Sequence, residues 1–191
     1  MLLGVSGGVA CFKAAALCSA LAKRHEVRVV MTEAATRFVT PLTFQSLSGH
    51  AVHASVWGSD TSPASEHVGL ARWCDLYVVA PATADTLAQL AHGLTPSPVS
   101  LVANALPGST PMLLAPAMNS DMWLHPATQR NVALLRELLP GTVWVGPDAG
   151  WQACRTEGTG RMAEPVAILE AVEISLRAIG GRRGDEAEAR G

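Results

Sequence analysis

The sequence has little charge. Asp, Glu, Lys and Arg make up 16% of its 191 residues against 49% apolar residues. Part of the surface is therefore expected to be covered by other subunits. The few basic residues form no stripe, and the formal net charge is −2. That leaves no source for attraction to a phosphate backbone, so nucleic acid is not an expected partner. Cysteine is sparse: Cys11, Cys18, Cys74 and Cys154 show no CxxC spacing and no zinc-ligand cluster, so no metal is expected. Cys11 and Cys18 fall in a helical pattern and Cys74 beside an apolar run, as small core residues do. No apolar run approaches ~20 residues, and the opening "MLLGVSGGVA" lacks a basic leader, so neither a membrane span nor a signal peptide is expected. A reducing cytoplasm fits this cysteine usage.

What is present is an alternation of unbroken apolar strands and helices. Met1–Ser6 reads as a buried strand, followed by a glycine turn and the helix in "SGGVACFKAAALCSALAKRH". "EVRVVMT" is a second strand, and "EAATRFVTPLTFQSLSG" gives short helices broken at Pro41. Residues 50–65 look irregular, with a brief strand near Val52. "DLYVVAPA" and "TPMLLAPAMN" are buried strands, and "TADTLAQLAHG", "PVSLVANAL" and "HPATQRNVALLRELLPG" are helices. "TVWVGP" is expected as the last strand, and "EPVAILEAVEISLRAI" as the closing helix. The pattern predicts a Rossmann-like, three-layer α/β/α domain with a mostly parallel sheet. One domain over residues 1–180 is expected, then a disordered tail over 181–191, where "GRRGDEAEARG" mixes charge signs without apolar anchors.

In such sheets ligands bind beyond the carboxyl ends of the strands. The segments there are "SGGVA", "TEAA", "PATADT", "PAMNSDMW" and the polar stretch "GWQACRTEGTGRMAEP", expected as a long loop carrying Cys154. Small residues at a helix start favour an anion such as phosphate, although a tight βα turn alone has the same composition. Thr32, Thr83 and Thr86 add hydroxyls that tilt the balance toward a phosphorylated ligand. His67 lies before a short amphipathic helix at the edge of the expected cleft. Asn119 offers an amide suited to a carboxylate, or to capping a helix. Met118, Met122 and Trp123 suit a cofactor ring or the core.

Taken together, "LLGVSGGVACFK", "MTEAATRFVTPLTFQ", "EHVGLARWCDL", "APATADT", "PAMNSDMW" and "ACRTEGTGRMAEP" resemble the homo-oligomeric flavin-containing cysteine decarboxylases over nearly all of the chain. Within that family the resemblance is greatest to the coenzyme A branch. It implies FMN-dependent decarboxylation of 4′-phosphopantothenoyl-cysteine to 4′-phosphopantetheine through a thioaldehyde and an enethiolate, by a chain without the ligase domain fused to many bacterial relatives. It further implies a trimer with active sites at subunit contacts, or a dodecamer of such trimers. By resemblance His67 is the active-site histidine, Asn119 binds the substrate carboxylate, and Cys154 sits on a mobile flap and protonates the enethiolate. Gly8, Val9, Ala10, Thr32, Glu33, Ala34, Thr83, Ala84, Asp85, Thr86 and Ala117 fall where FMN is contacted. Asn119, Met122 and Arg161 form the expected substrate set, with Arg161 or Arg155 toward the phosphate.

The chain departs from the family at two places. Asp85 stands where many relatives have Asn. Arg155 follows the flap cysteine where a glycine is usual, and a glycine would supply flexibility or a positive φ. Three other readings stand beside this one. They are oxidative decarboxylation of a C-terminal peptidyl cysteine, flavin prenylation, and a non-catalytic flavin-fold subunit that binds a partner protein.

Overall fold

The computed structural model describes residues 1–57 and 66–188. Six strands form one parallel sheet: β1 (Leu2–Val5), β2 (Arg28–Met31), β3 (Val52–His53), β4 (Tyr77–Ala82), β5 (Met112–Pro116) and β6 (Val143–Trp144). Their spatial order is β3-β2-β1-β4-β5-β6. The chain works outward from β1 to one edge and then crosses back to β4, which makes the β1/β4 boundary the topological switch point.

The central strands β1, β4 and β5 are buried throughout because helices cover both faces, so they are continuous apolar runs, while the edge strands β3 and β6 are half-buried. Successive side chains point to opposite faces. Leu3, Val5, Val78 and Ala80 pack with Leu17, Cys18 and Leu21 of α1 (Cys11–Ala22), Phe44 of α3 (Pro41–Ser48), and Ile168 and Val172 of α9 (Pro165–Glu188). Leu2, Tyr77, Val79 and Ala82 pack with Leu70 of α4 (Glu66–Trp73), Leu87 of α5 (Ala84–Ala91), Val99 and Val102 of α6 (Pro98–Asn104), and Val132 and Leu135 of α8 (Pro126–Leu138). Two one-turn helices, α2 (Glu33–Thr36) and α7 (Ser120–Leu124), follow β2 and β5. Cys11, Cys18 and Cys74 are buried, and burial pushes the Cys18 and Cys74 thiols up to about 11. Among the described residues no helix is long and apolar enough to cross a membrane.

Three expectations need correction. The stretch around Cys154 is an antiparallel hairpin, β7 (Asp148–Trp151) and β8 (Glu157–Arg161), so "TVWVGP" does not hold the last strand. Its strands are glycine-rich and polar, and docking holds them where propensity does not. The closing helix runs to Glu188, into the stretch expected as a tail. Ala, Glu and Arg form helix well, and extending an existing helix needs no new nucleus. Residues 189–191 lie outside the described residues. So do 58–65 of the irregular excursion.

Candidate active site

A cavity of about 1640 Å³ opens at the carboxyl ends of the strands. It exceeds the roughly 300–1,000 Å³ of a typical single-ligand pocket, so a cofactor and a substrate fit together. Gly8, Val9, Ala10, Thr32, Glu33, Ala34, Thr83, Ala84, Asp85, Thr86 and Ala117 all line it. Asn119, Met122, Arg161, Arg155 and Cys154 line it as well.

The floor is the β1–α1 turn. Gly7 is required there: a side-chain carbon would stand 2.4 Å from the Ala34 Cβ, so only glycine lets this turn approach α2. The N-cap of α1 is Ala10, which has no side-chain capping bond. The first amides of that helix are engaged, Cys11 N with Gly8 O (3.0 Å), Phe12 N with Val9 O (3.4 Å) and Lys13 N with Ala10 O (2.9 Å), so it is the turn amides of Gly8, Val9 and Ala10, at the cavity wall, that have no backbone partner among the described residues. Hydroxyls surround them. Thr32 Oγ1 accepts from Ala35 N (3.1 Å) and caps α2. Thr83 Oγ1 accepts from Thr86 N (3.4 Å) and lies 3.1 Å from Thr86 Oγ1, capping α5. A hydroxyl that accepts from a backbone amide keeps its own proton for an anion.

Ser6 was not singled out by the sequence, although it is the first residue past β1. Its buried Oγ donates to the Pro81 carbonyl (2.6 Å) and accepts from Thr83 N (3.1 Å). It ties the two strand ends at the switch point and sets the position of Thr83.

Of the two sequence readings of Asn119, the helix cap is observed. The residue is the N-cap of α7, with Oδ1 accepting from Met122 N at 2.8 Å. Because that backbone N–H can only donate, the oxygen end of the amide is fixed. The Nδ2 end keeps two donors for a carboxylate.

The hairpin closes over Asn119 from the side. Met118 N donates to the Gly160 carbonyl at 2.8 Å. Buried Gln152 accepts from Ser120 N (3.0 Å) through Oε1 and donates to the Gly158 carbonyl (3.1 Å) through Nε2. Gln152 N donates to Thr156 O and Arg155 N to Gln152 O, both at 2.9 Å, which leaves a three-residue tip of Ala153, Cys154 and Arg155. The third residue of such a tip takes the left-handed conformation. Here that residue is Arg155, with φ of 63°. The position wants the positive φ that glycine supplies, and this chain meets it with arginine. Gly160, by contrast, serves a close approach and not lid motion, since a side-chain carbon there would stand 2.5 Å from the Met118 carbonyl oxygen.

Lys13, also unforeseen, is a cation in an otherwise apolar helix. Its buried ammonium donates to the Met162 carbonyl and to Glu164 Oε1, both at 2.9 Å, clipping α1 to the end of the hairpin. That hydrogen bond holds the Glu164 carboxyl below the usual carboxylate range. Arg161 Nη2 lies 3.4 Å from the same carboxylate. Its buried Nε has no hydrogen-bond partner among the described residues.

His67 does not line this cavity, and neither does Trp123, which packs against the core of α5 and α8. His67 is the second residue of α4, not a residue before it, and is half-buried. Its neighbour Glu66 is held by His53 (Nδ1 to Oε1, 3.0 Å). The helix buries Leu70 and Ala71 in the core of α5, α6 and α8.

Comparison with known proteins bears on this arrangement. A probable phosphopantothenoylcysteine decarboxylase of Streptococcus mutans is 42% identical over 177 residues, covering 92% of this chain and 98% of that protein. The coenzyme A biosynthesis bifunctional protein CoaBC of Bacillus subtilis is 41% identical, but this chain spans only 42% of its length. Among solved structures, a PPC decarboxylase cysteine-to-serine mutant complexed with pantothenoylaminoethenethiol superposes with a TM-score of 0.80. It is 33% identical, over 92% of this chain and 97% of that one. The FMN-binding protein AtHal3 gives a TM-score of 0.77 at 33% identity, over 93% and 96%. The Flavoprotein family profile matches residues 1–177, and the chain belongs to that family.

Proposed function

We propose that the protein is an FMN-dependent decarboxylase that converts 4′-phosphopantothenoyl-cysteine to 4′-phosphopantetheine. The observation that carries this reading is the meeting of Asn119 and Cys154 in one cavity, above an uncapped helix start ringed by Thr32, Thr83 and Thr86. The likeness to the Streptococcus mutans protein along 98% of its length supports it.

The residues present fit FMN. The amides of the β1–α1 turn and the three threonine hydroxyls would hold its phosphate, and the small residues Gly8, Ala10 and Ala117, with Val9, leave room for its ring. When bound, FMN supplies a reversible acceptor for the hydride from the cysteine Cβ, which makes the bond to CO₂ labile next to a thiocarbonyl. The protein's own work is to orient and to move protons. Asn119 Nδ2 holds the carboxylate in line for departure. Cys154 gives its proton to the enethiolate left after CO₂ is lost, and with the hydride from Cβ returned, substrate and product differ by CO₂ alone. Arg161 is the better partner for the substrate phosphate, because its Nε is buried without a partner whereas Arg155 is exposed at the hairpin tip.

The site is completed in an oligomer. Val9, Phe12, Trp57, Met122 and Trp151 are exposed apolar residues that all line the cavity, and His67 lies outside it. We propose that a neighbouring subunit covers this rim and brings its own His67, as acid–base residue, to the cavity. Peptidyl-cysteine decarboxylation is the second reading, and the unpartnered Nε of Arg161, whose Nη2 already faces Glu164, favours a phosphorylated substrate over it.

The test is co-expression of His67→Asn and Cys154→Ser subunits, each expected to form no 4′-phosphopantetheine when expressed alone. Mixed oligomers regain turnover of 4′-phosphopantothenoyl-cysteine if the site is shared. Mixed oligomers as inactive as the single variants would refute sharing.

A further inference from the structure

The thiol of Cys154 stands in a hydrogen-bond frame that the reaction above does not use. Sγ lies 2.9 Å from Thr156 Oγ1 and 3.6 Å from Gln152 Oε1. The Gln152 amide cannot be turned over. Ser120 N–H can only donate and the Gly158 carbonyl can only accept, so Oε1 must face Ser120 and the thiol. An oxygen acceptor beside the sulfur draws the S–H proton toward itself. The Thr156 hydroxyl is then left to donate into the sulfur lone pair.

We propose that Thr156 and Gln152 are positioning residues for Cys154. Gln152, 6% exposed and anchored to the start of α7, aims the thiol proton. Thr156 donates to the sulfur and stabilises the thiolate. Resting on the decarboxylase reading, this assigns Thr156 to the last step. The S–H bond breaks and a C–H bond forms on the enethiolate carbon. The electron pair stays on sulfur under the Thr156 hydroxyl, and solvent later returns the proton. A hydroxyl donor so placed matters because the charged groups around the cavity are engaged elsewhere. Lys13 and Arg161 face Glu164, Arg37 pairs with Glu33, and Asp85 accepts from Gln89. Arg155 is the thiol's chain neighbour.

The test reads the thiol directly, without turnover. Alkylation by iodoacetamide is followed by mass on the FMN-loaded protein. Cys154→Ala serves as the background, since the other three thiols are buried. Thr156 is exposed, so Thr156→Val, which keeps the shape and removes the hydroxyl, leaves the fold intact. At about pH 8 Thr156→Val is expected to react about tenfold more slowly, the worth of one hydrogen bond to a charged group, while Thr156→Ser matches the parent. At about pH 11, where cysteine thiols are ionised, the rates converge. A deficit that persists at high pH, or parental alkylation of Thr156→Val at pH 8, overturns the proposal. Turnover separates the two claims. A parent inert to 4′-phosphopantothenoyl-cysteine with the alkylation pattern intact refutes the decarboxylase reading alone. An active parent without the pattern refutes only the role of Thr156.

Discussion

Replacing Gly160 with alanine tests how the hairpin is held. The glycine has φ of 155° and faces the Met118 carbonyl, which an added Cβ would approach to 2.5 Å. The obstacle is backbone, so no rotamer change relieves it, and the hairpin must lift from α7. A glycine-only backbone region costs another residue about 1–3 kcal/mol. The lost Met118 N to Gly160 O bond adds about 1 kcal/mol. Together they weaken docking by about 2–4 kcal/mol, or about 30- to 1,000-fold in the docked population. The sheet and both cores are untouched, so the global melt changes little while the hairpin becomes protease-sensitive. In single turnover with 4′-phosphopantothenoyl-cysteine, CO₂ release is expected near the parental rate. The product mass shifts from 4′-phosphopantetheine toward the enethiol, which is 2 Da lighter by one molecule's worth of hydrogen (about 2 by elementary composition). Parental proteolysis and parental product masses in Gly160→Ala would refute the reasoning.

Other outcomes follow from the same geometry. Arg155→Gly relieves the φ of 63° at the hairpin tip and is expected to stabilise the hairpin by roughly 1 kcal/mol, read as slower amide exchange in residues 148–161. Ser6→Ala leaves Thr83 N without its buried acceptor and the Pro81 carbonyl with only the long bond from the backbone N of residue 6 (3.4 Å). It should cost about 1–3 kcal/mol in chemical denaturation and loosen FMN, read by fluorescence titration. Glu164 has a carboxyl held down by Lys13, so its contribution is present above the ordinary carboxylate pKa and is lost as pH falls through the lowered value. Acidification below about pH 4 should therefore free the hairpin end in the parent but change little in Glu164→Gln, as measured by proteolysis at residues 161–165.

Most of the fold was legible because it is written in apolar periodicity. Runs such as "DLYVVAPA" are buried on both sides and permit only a central parallel strand. The hairpin was not legible, because "DAGW" and "EGTGR" carry no apolar alternation and only one β-branched residue, Thr159, and their pairing depends on bonds to Met118 and Ser120. The site divides in the same way. Residues at strand ends, such as Thr32, Thr83 and Asn119, follow from topology. Ser6, Lys13 and Gln152 act through partners 77, 149 and 32 residues away, which no local pattern reveals. The positive φ at Arg155 was visible only through the glycine usual in the resemblance. His67 was selected by motif, yet its place in α4 puts it outside the cavity of its own chain.

The most direct measurement is an anaerobic incubation of the purified, FMN-loaded protein with 4′-phosphopantothenoyl-cysteine, following product mass and flavin absorbance together. The expected result is stoichiometric 4′-phosphopantetheine with repeated turnover and no added oxidant or reductant. A flavin-loaded protein that leaves this substrate intact would contradict the account.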